Sequence, residues 1–457
     1  MSTTYRTARR RNDAKLNTIG AMAAPVERLI DRVLELEPHW VLPLLPLVFV
    51  RTPCSWLALL AAILPWLLRL ARYGYMTRRT AFDPAIALVV FGGTVGLYAS
   101  PDAHLSFEAL QSYVAGVITY YVFVNHPRHL KLYVVYLFLA SLAGTLWVFS
   151  QGSVGLNKFT CFNGWVYDLA ASLPKVTNHP AYPNALAGLL AVAAPIAAGL
   201  ALYAHRRGQM LVGGGLVVIL SLALVLTGSR AGMVGLALSL SFVALWRTRW
   251  VLLVPPLVAG VGLSMTLGRL AVVDQMWANP WSSTAGGRLV IWLSTLHMLP
   301  DLLYAGTGPG AYALVYRFYA PPWDLQVVTN PHNALLQLWA DAGIFGALAA
   351  LLALGTGLRL GARILRLPPG RQRFGLAVGL LGGVIGATVH GTFESAISGV
   401  IADATSVYHY VVSPLPWVLA GLVWIVFSGL RREDERHKRV IGPAVVADVE
   451  LHGVMRR

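Results

Sequence analysis

The sequence carries little charge for its length. Charged residues make up 12% of the 457 residues, whereas a soluble globular domain has about 25%. Hydrophobic residues make up 56%, and apolar runs of about 18 residues recur along the chain, which is the length that a helix needs to cross the hydrocarbon layer. The low charge excludes a soluble globular domain. It predicts an all-α, polytopic integral membrane protein.

Residue patterns that would bind a metal ion or a nucleotide are also missing. The chain has two cysteines, Cys54 and Cys161, whose pairing the sequence leaves open, and its histidines are scattered, so no zinc-ligand spacing occurs. No acidic pair in the predicted external loops has the spacing of a divalent-metal site. The turn at 306–310 lacks the lysine of a P-loop. We therefore predict no metal and no cofactor.

The excess of positive charge follows the order of the apolar runs. The net charge is +16, and 29 of the 36 Lys and Arg residues fall in alternate connections or at the termini. Because basic residues collect in cytoplasmic loops, this pattern predicts two cytoplasmic termini, and it explains the charge without a nucleic-acid partner. About twelve transmembrane helices are predicted, near 41–50, 54–71, 82–99, 107–124, 130–149, 180–204, 209–227, 231–246, 250–268, 342–362, 374–393 and 414–430.

The chain divides into three predicted parts. Residues 1–38 form a basic cytoplasmic leader, in which 26–34 have the apolar spacing of an amphipathic helix on the membrane surface. Residues 39–430 form the transmembrane domain, with large external loops near 150–179 and 269–341, and residues 431–457 form a cytoplasmic tail. In the second loop, 289–303 has helical spacing but is broken by Pro300, which favours an interfacial helix over a crossing.

Seven basic residues remain on the predicted external side, against the insertion bias. Three of them, Arg230, Arg288 and Arg317, are candidates to bind phosphate, because the guanidinium is always charged and its donors match phosphate oxygens. Fixed cations also stabilise the charge that develops on a leaving diphosphate. The alternative is that each arginine reaches lipid headgroups separately. Arg317, which lies among aromatic residues, fits that alternative best.

His332 is the candidate general base. Pro331 and Asn333 beside it predict the start of a helix, whose N-terminus disfavours the charged imidazolium, so the neutral ring can accept a proton from a sugar hydroxyl. The alternative is a structural histidine that caps the helix. His390 and Glu394 lie one helical turn apart near the external end of a predicted transmembrane helix. They are either functional groups or a hydrogen-bonded packing pair.

Three motifs together resemble the O-antigen ligase and O-antigen polymerase superfamily. Residues 331–346, PHNALLQLWADAGIFG, resemble the family's HN-x-x-L-x-x-W-x-x-x-G-x-x-G signature. GRLVIW at 287–292, followed by GTGPG at 306–310, resembles a GR-x-x-x-W motif and a G-x-G turn. SRAG at 229–232 resembles the family's SR-G block. The motifs fall in the expected order on the external side, over about 180–395.

The resemblance implies a GT-C-like glycosyltransferase of the bacterial inner membrane. Its donor would be a glycan linked to undecaprenyl diphosphate, used at the periplasmic face without a nucleotide sugar and, for the ligases, without metal. By resemblance, Arg230 and Arg288 hold the diphosphate, and His332 activates or positions the acceptor hydroxyl, with inversion at the anomeric carbon. The other predicted substrate-binding residues are Arg317, Asn333, Tyr312, Trp292, Ser229, Asn184, His390 and Glu394.

The acceptor distinguishes the members of this superfamily. A ligase uses lipid A-core, a polymerase uses a growing glycan, and a protein O-oligosaccharyltransferase uses a pilin-like protein. We favour the ligase, because the protein-glycosylating members often carry a larger soluble C-terminal region, which this sequence does not lead us to expect. A flippase or transporter of lipid-linked glycans would also be basic and polytopic, but its charged groups would line a central passage. Membrane lipids are the other expected partners.

Overall fold

Helices dominate the computed structural model, which describes residues 25–49, 52–150, 183–246, 284–322, 328–366, 373–394, 398–402 and 408–441. The helices are α1 (25–35), α2 (Glu37–Phe49), α3 (Ser55–Tyr73), α4 (Asp83–Ala99), α5 (Ala103–Asn125), α6 (Leu130–Ser150), α7 (Pro183–Leu202), α8 (Arg207–Leu226), α9 (Arg230–Leu245), α10 (Thr284–Met298), α11 (Tyr312–Tyr316), α12 (Ala334–Leu365), α13 (Phe374–Phe393) and α14 (Leu415–Ile441). A short antiparallel pair, β1 (Ser398–Ala402) and β2 (Tyr408–Val412), connects α13 to α14. The predicted all-α, polytopic membrane class is confirmed.

Each predicted transmembrane segment that falls on described residues coincides with a helix. Seven helices in these ranges are long and apolar enough to cross a membrane. The segment near 41–50 corresponds to α2, whose 13 residues span about 20 Å and fall short of a crossing. The segment near 250–268, most of the loop at 150–179, residues 1–24 of the leader and 442–457 of the tail lie outside the described residues. The count of twelve stays a prediction.

Three closely packed helices, α7, α9 and α13, bring the site together. A Cβ added at Gly386 of α13 would lie 2.4 Å from the carbonyl oxygen of Ala191, and one at Gly235 of α9 would lie 2.9 Å from that of Gly386. Small residues permit this approach, which is how helices associate closely in lipid. Because α13 runs antiparallel to both neighbours, its end at Phe393 lies beside the starts of α7 and α9.

Helix α12 is broken in its first half. Ala342 and Gly343 have non-helical backbone angles, and Gly343 has a positive φ of 61°. A Cβ there would lie 2.1 Å from the carbonyl oxygen of Tyr304. The backbone N–H of Thr307 donates to the carbonyl of Ala340 at 2.6 Å, so the glycine-rich turn satisfies a group that the break exposes. Such backbone is tolerated at membrane depth only where protein satisfies it.

A buried carboxylate, that of Asp341, holds the break in place. Its Oδ1 accepts hydrogen bonds from the Gly310 N–H at 3.2 Å and from Gln337 Nε2 at 2.9 Å. Its Oδ2 accepts one from the Tyr113 hydroxyl of α5 at 2.8 Å. The residues from Ala334 to Asp341 therefore form a half-helix that is fixed separately from the rest of α12. The candidate base, His332, lies just before this half-helix.

A second buried polar cluster joins α2, α3 and the end of α5. The carboxylate of Glu37 pairs with the guanidinium of Arg69, and its Oε2 lies 2.8 Å from Nε2 of His126. The Glu37 side chain is fully buried. Charges taken out of water in this way require partners, so this cluster fixes the short helix α2 against the transmembrane helices.

Removing the Glu37 charge should destabilise the protein strongly. Glu37→Gln leaves Arg69 buried without its counterion, which typically costs about 3–5 kcal/mol. Thermal unfolding of the purified protein in detergent measures this loss. The matched control is Glu27→Gln, in the half-exposed pair with Arg72, which should change the midpoint little. A Glu37 variant no less stable than the control would contradict this role.

Candidate active site

One carboxylate, that of Glu394, connects three of the residues that the sequence places in the site. Its Oε1 lies 2.7 Å from Nδ1 of His332. Its Oε2 accepts hydrogen bonds from Nη2 of Arg288 at 3.2 Å and from Nδ2 of Asn184 at 2.9 Å. Glu394 follows α13, Arg288 lies on α10, His332 precedes α12 and Asn184 begins α7. Four segments that are distant in sequence therefore converge on one acidic side chain.

The spacing within α10 places two side chains of the predicted motif on one face. Arg288 and Trp292 are four residues apart, which is close to one helical turn. Arg288 reaches Glu394, while Nε1 of Trp292 donates to the carbonyl oxygen of Pro331 at 2.9 Å. The Trp292 ring also lies beside that of Phe393, with centroids 6.2 Å apart. Helix α10 thus supplies both a cation and a support for the segment that carries His332.

The backbone at His332 has an unusual conformation. Its φ is 49°, and no other non-glycine residue in the described ranges has a positive φ. Such a residue stores about 1–3 kcal/mol and persists where its surroundings hold it. The side-chain oxygen of Asn330 accepts a hydrogen bond from the His332 N–H at 2.9 Å. Asn330 was not singled out by sequence, although Asn two residues before a turn residue commonly makes this contact.

Helix α12 starts where the sequence predicts, and its N-cap is Asn333 rather than His332. The side-chain oxygen of Asn333 accepts hydrogen bonds from the backbone N–H groups of Leu335 and Leu336, at 3.0 and 3.1 Å. Its Nδ2 donates to the carbonyl oxygen of Thr392 at 3.0 Å. Asn333 therefore joins the start of α12 to the end of α13, which keeps His332 and Glu394 adjacent. Its role in substrate binding stays a prediction.

The charges around Glu394 determine its protonation state. Burial raises the pKa of a carboxyl group, but the hydrogen bond from His332 and the charges of His332 and Arg288 outweigh burial, so the pKa of Glu394 is lowered. Glu394 is therefore ionised at neutral pH and can only accept hydrogen bonds. It follows that Nδ1 of His332 carries a proton, and in the neutral ring Nε2 has a free lone pair.

Unused hydrogen-bonding capacity remains on two of the three side chains that bind Glu394, those of Arg288 and His332. Arg288 makes one hydrogen bond among the described residues, although a guanidinium has five N–H donors. Within the same ranges, no hydrogen bond involves Nε2 of His332. The side chains of Arg288 and His332 are 25% and 32% exposed. A cation with free donors and an imidazole with a free lone pair are thus both accessible beside one buried anion.

Arg230 and Ser229 lie at the start of α9, on the same side of the helix group. Ser229 is the N-cap, and its hydroxyl accepts a hydrogen bond from the Gly232 N–H at 3.3 Å. A Cβ at Gly232 would lie 2.9 Å from Ala187, one turn beyond Asn184 on α7. The Arg230 side chain is exposed and makes no ion pair with described residues. It is near the cluster in the fold without contacting Glu394.

Three predicted site residues, Arg317, Tyr312 and His390, do not bind Glu394. Arg317 is exposed, with its guanidinium 4.9 Å from the ring of Phe318. Tyr312 is fully buried, and its hydroxyl is 2.7 Å from that of Thr295. His390 is also fully buried, and neither of its ring nitrogens has a hydrogen-bond partner among described residues. His390 and Glu394 therefore form no hydrogen-bonded pair among the described residues, which rules against that alternative.

These features together define a class: a polytopic α-helical membrane protein with a polar cluster of arginine, histidine and glutamate where several helices end. Residues 215–351 match the family model described as O-antigen ligase. Over this segment the chain is similar to the O-antigen ligase family, which supports the resemblance that the three sequence motifs indicate. The matched segment includes Arg230, Arg288 and His332 and ends before Glu394. No curated protein matches the chain.

Removing the imidazole of His332 should make the protein lose stability at a higher pH when the solution is acidified, which shifts the acid limb of its pH–stability profile. The lowered pKa of Glu394 means that its ionised contacts stabilise the fold at neutral pH and are lost as pH falls through that pKa. His332→Gly keeps a residue that tolerates positive φ and removes the side chain that binds Glu394. Without the hydrogen bond and the charge of His332, which lower the pKa of Glu394, burial raises that pKa.

Thermal midpoints measured across acidic pH test this shift. Arg317→Gln is the matched control, because it removes an exposed charge that does not contact the cluster. An acid limb that is the same in wild type, His332→Gly and Arg317→Gln would contradict the assigned contact.

Proposed function

We propose that the protein is an O-antigen ligase, which transfers a glycan from undecaprenyl diphosphate to lipid A-core at the periplasmic face of the inner membrane. The observation that supports this most is the convergence of Arg288 and His332 on Glu394. The similarity of residues 215–351 to the O-antigen ligase family supports the class of reaction. The charge pattern of the sequence, with basic residues in alternate connections, supports a periplasmic position for the cluster.

Arg288 is the proposed ligand of the donor diphosphate. One of its N–H groups binds Glu394, which orients the guanidinium and leaves its other donors for phosphate oxygens. When the bond between the anomeric carbon and the diphosphate oxygen breaks, the electron pair goes to the diphosphate. A fixed cation stabilises that developing charge. Arg230, at the start of α9, is the proposed second cation.

His332 is the proposed general base for the acceptor hydroxyl. Its Nδ1–H donates to Glu394, so Nε2 is the nitrogen that can take the hydroxyl proton. The hydroxyl oxygen then attacks the anomeric carbon from the face opposite the diphosphate, and the configuration inverts. The imidazolium formed lies 2.7 Å from an ionised carboxylate, which stabilises it. Glu394 acts as a positioning residue in this scheme.

A purely structural role for the cluster is the competing explanation. An ion pair between Arg288 and Glu394 would hold α10 against α13 without any chemistry. It does not account for the left-handed backbone of His332, which the side chain of Asn330 supports, nor for an accessible Nε2. Strained conformations of this kind concentrate at functional sites. We therefore favour catalysis over a structural role.

Substitutions at Arg288 and His332 should abolish transfer without preventing insertion. Arg288→Ala removes the diphosphate ligand, and His332→Asn removes the base while retaining the backbone conformation. A positioned base contributes roughly 10²–10⁴-fold, so the transfer rate should fall by at least that order. The measurement is glycan transfer by purified protein in lipid vesicles.

The control for this experiment is Arg317→Ala, which removes an exposed arginine outside the cluster. It should retain most of the transfer activity, and all variants should show wild-type expression and membrane insertion. Undiminished transfer by both Arg288→Ala and His332→Asn would remove the proposed assignments. Loss in all three variants would indicate a general need for external positive charge.

The acceptor is tested in the same vesicles. We expect the polyprenyl-diphosphate glycan to be transferred to lipid A-core in preference to a second glycan or a pilin-like protein. Transfer to a second glycan would identify a polymerase, and transfer to the pilin-like protein an oligosaccharyltransferase. Movement of the intact donor across the bilayer without transfer would identify a flippase and overturn the proposal.

A further inference from the structure

Helix α1 presents an apolar face that the protein leaves uncovered. Val26, Leu29 and Leu36, the last in the turn after the helix, are 57%, 63% and 55% exposed. Leu29 follows Val26 by three residues and Leu36 follows Leu29 by seven, and this spacing places the three side chains on one side of a helix. Ile30 and Leu34 lie on the adjacent side, where Leu34 is 5% exposed. The helix therefore has two apolar sides, of which only one packs on the protein.

The acidic side of α1 fixes it to the end of a transmembrane helix. Oδ1 of Asp31 accepts hydrogen bonds from the Tyr73 hydroxyl at 2.7 Å and from Nε of Arg72 at 3.3 Å. Glu27 pairs with Arg72 at 3.3 Å. Arg72 and Tyr73 are the last residues of α3, a helix with the length and composition of a membrane span. Helix α1 therefore lies at the level where α3 leaves the hydrocarbon layer.

The position of α1 determines what its uncovered face meets. Helix α3 exposes its own apolar residues up to Leu70, one turn before the contacts with α1. A face at this depth, beside a lipid-facing helix, borders the interfacial region of a lipid monolayer. Amphipathic helices in that region bury their apolar side among the outer parts of the acyl chains.

The charges on the remaining side of α1 favour anionic headgroups. Arg28, Arg32 and Glu35 lie on this side, and Arg28 and Arg32 flank the uncovered apolar face. Basic residues beside the apolar face of an amphipathic helix attract anionic headgroups when they lie near the membrane surface.

We infer that α1 is a binding element for anionic phospholipid, which inserts Val26, Leu29 and Leu36 into the monolayer. The element attaches α2 and α3 to one membrane surface through Arg72. This inference does not depend on the proposed transferase activity, since it concerns other residues and a different ligand.

Fluorescence of a label at position 29 tests the inference in the full chain. Cys54 and Cys161 are replaced by serine, and Leu29→Cys carries an environment-sensitive fluorophore. The protein is reconstituted into phosphatidylcholine vesicles with and without phosphatidylglycerol, and a nitroxide on the upper part of a lipid chain is the quencher. Glu35→Cys, on the polar side, is the matched control position.

We expect quenching at position 29 to exceed that at position 35 severalfold and to increase with phosphatidylglycerol. Arg28→Gln with Arg32→Gln, and added salt, should reduce that increase, because screening weakens surface charge. Equally weak quenching at both positions would overturn insertion. Quenching that is unchanged by phosphatidylglycerol would overturn the preference for anionic lipid.

Pairing between two copies of the chain would also cover this face. In that case the label at position 29 would be protected from both the lipid nitroxide and aqueous iodide, and Leu29→Cys would form disulfide-linked dimers on oxidation. That combination would replace the lipid by a second copy as the occupant, and the inference would be wrong.

Discussion

Burying an ionised carboxylate costs free energy unless several partners satisfy it, and Glu394 meets that requirement with three side chains. Arg288, His332 and Asn184 each come from a different helix or loop. The positions of α7, α10, α12 and α13 at this end of the protein are therefore coupled. Removing one partner would leave a buried charge, so the arrangement is specified more tightly than separate surface pairs would be.

The sequence predicts the class of fold and many local features because these depend on composition and short spacings. Hydropathy indicates the helices, the interruption at Pro300 favours a short interfacial α10, and Asn333 marks the start of α12. The four-residue spacing of Arg288 and Trp292 predicts a shared face. Glu394 was predicted as a functional group or as a partner of His390. Its actual partners could not be predicted, because the contacts that select them join residues about 60 to 210 positions apart.

Other features depend on tertiary contacts that no short pattern encodes. The break in α12 is stabilised by the turn at 306–310 and by Asp341, whose partner Tyr113 lies 228 positions away. The glycines at 306–310 indicate a turn in the sequence, but they do not indicate that this turn packs against α12. This break matters for the site, because it makes the segment after His332 a short, separately fixed half-helix. The proposed base, His332, is thus held by rigid elements while the rest of α12 spans the membrane.

The most direct test of the central interaction is the ¹⁵N chemical shift of the two ring nitrogens of His332, in histidine-labelled protein in lipid nanodiscs. The signals are assigned by their loss in His332→Asn. In the neutral ring we expect a protonated Nδ1 and an unprotonated Nε2, with a marked change in the Nδ1 signal in Glu394→Gln. The opposite tautomer, or ring signals that do not respond to Glu394→Gln, would contradict the contact on which the site depends.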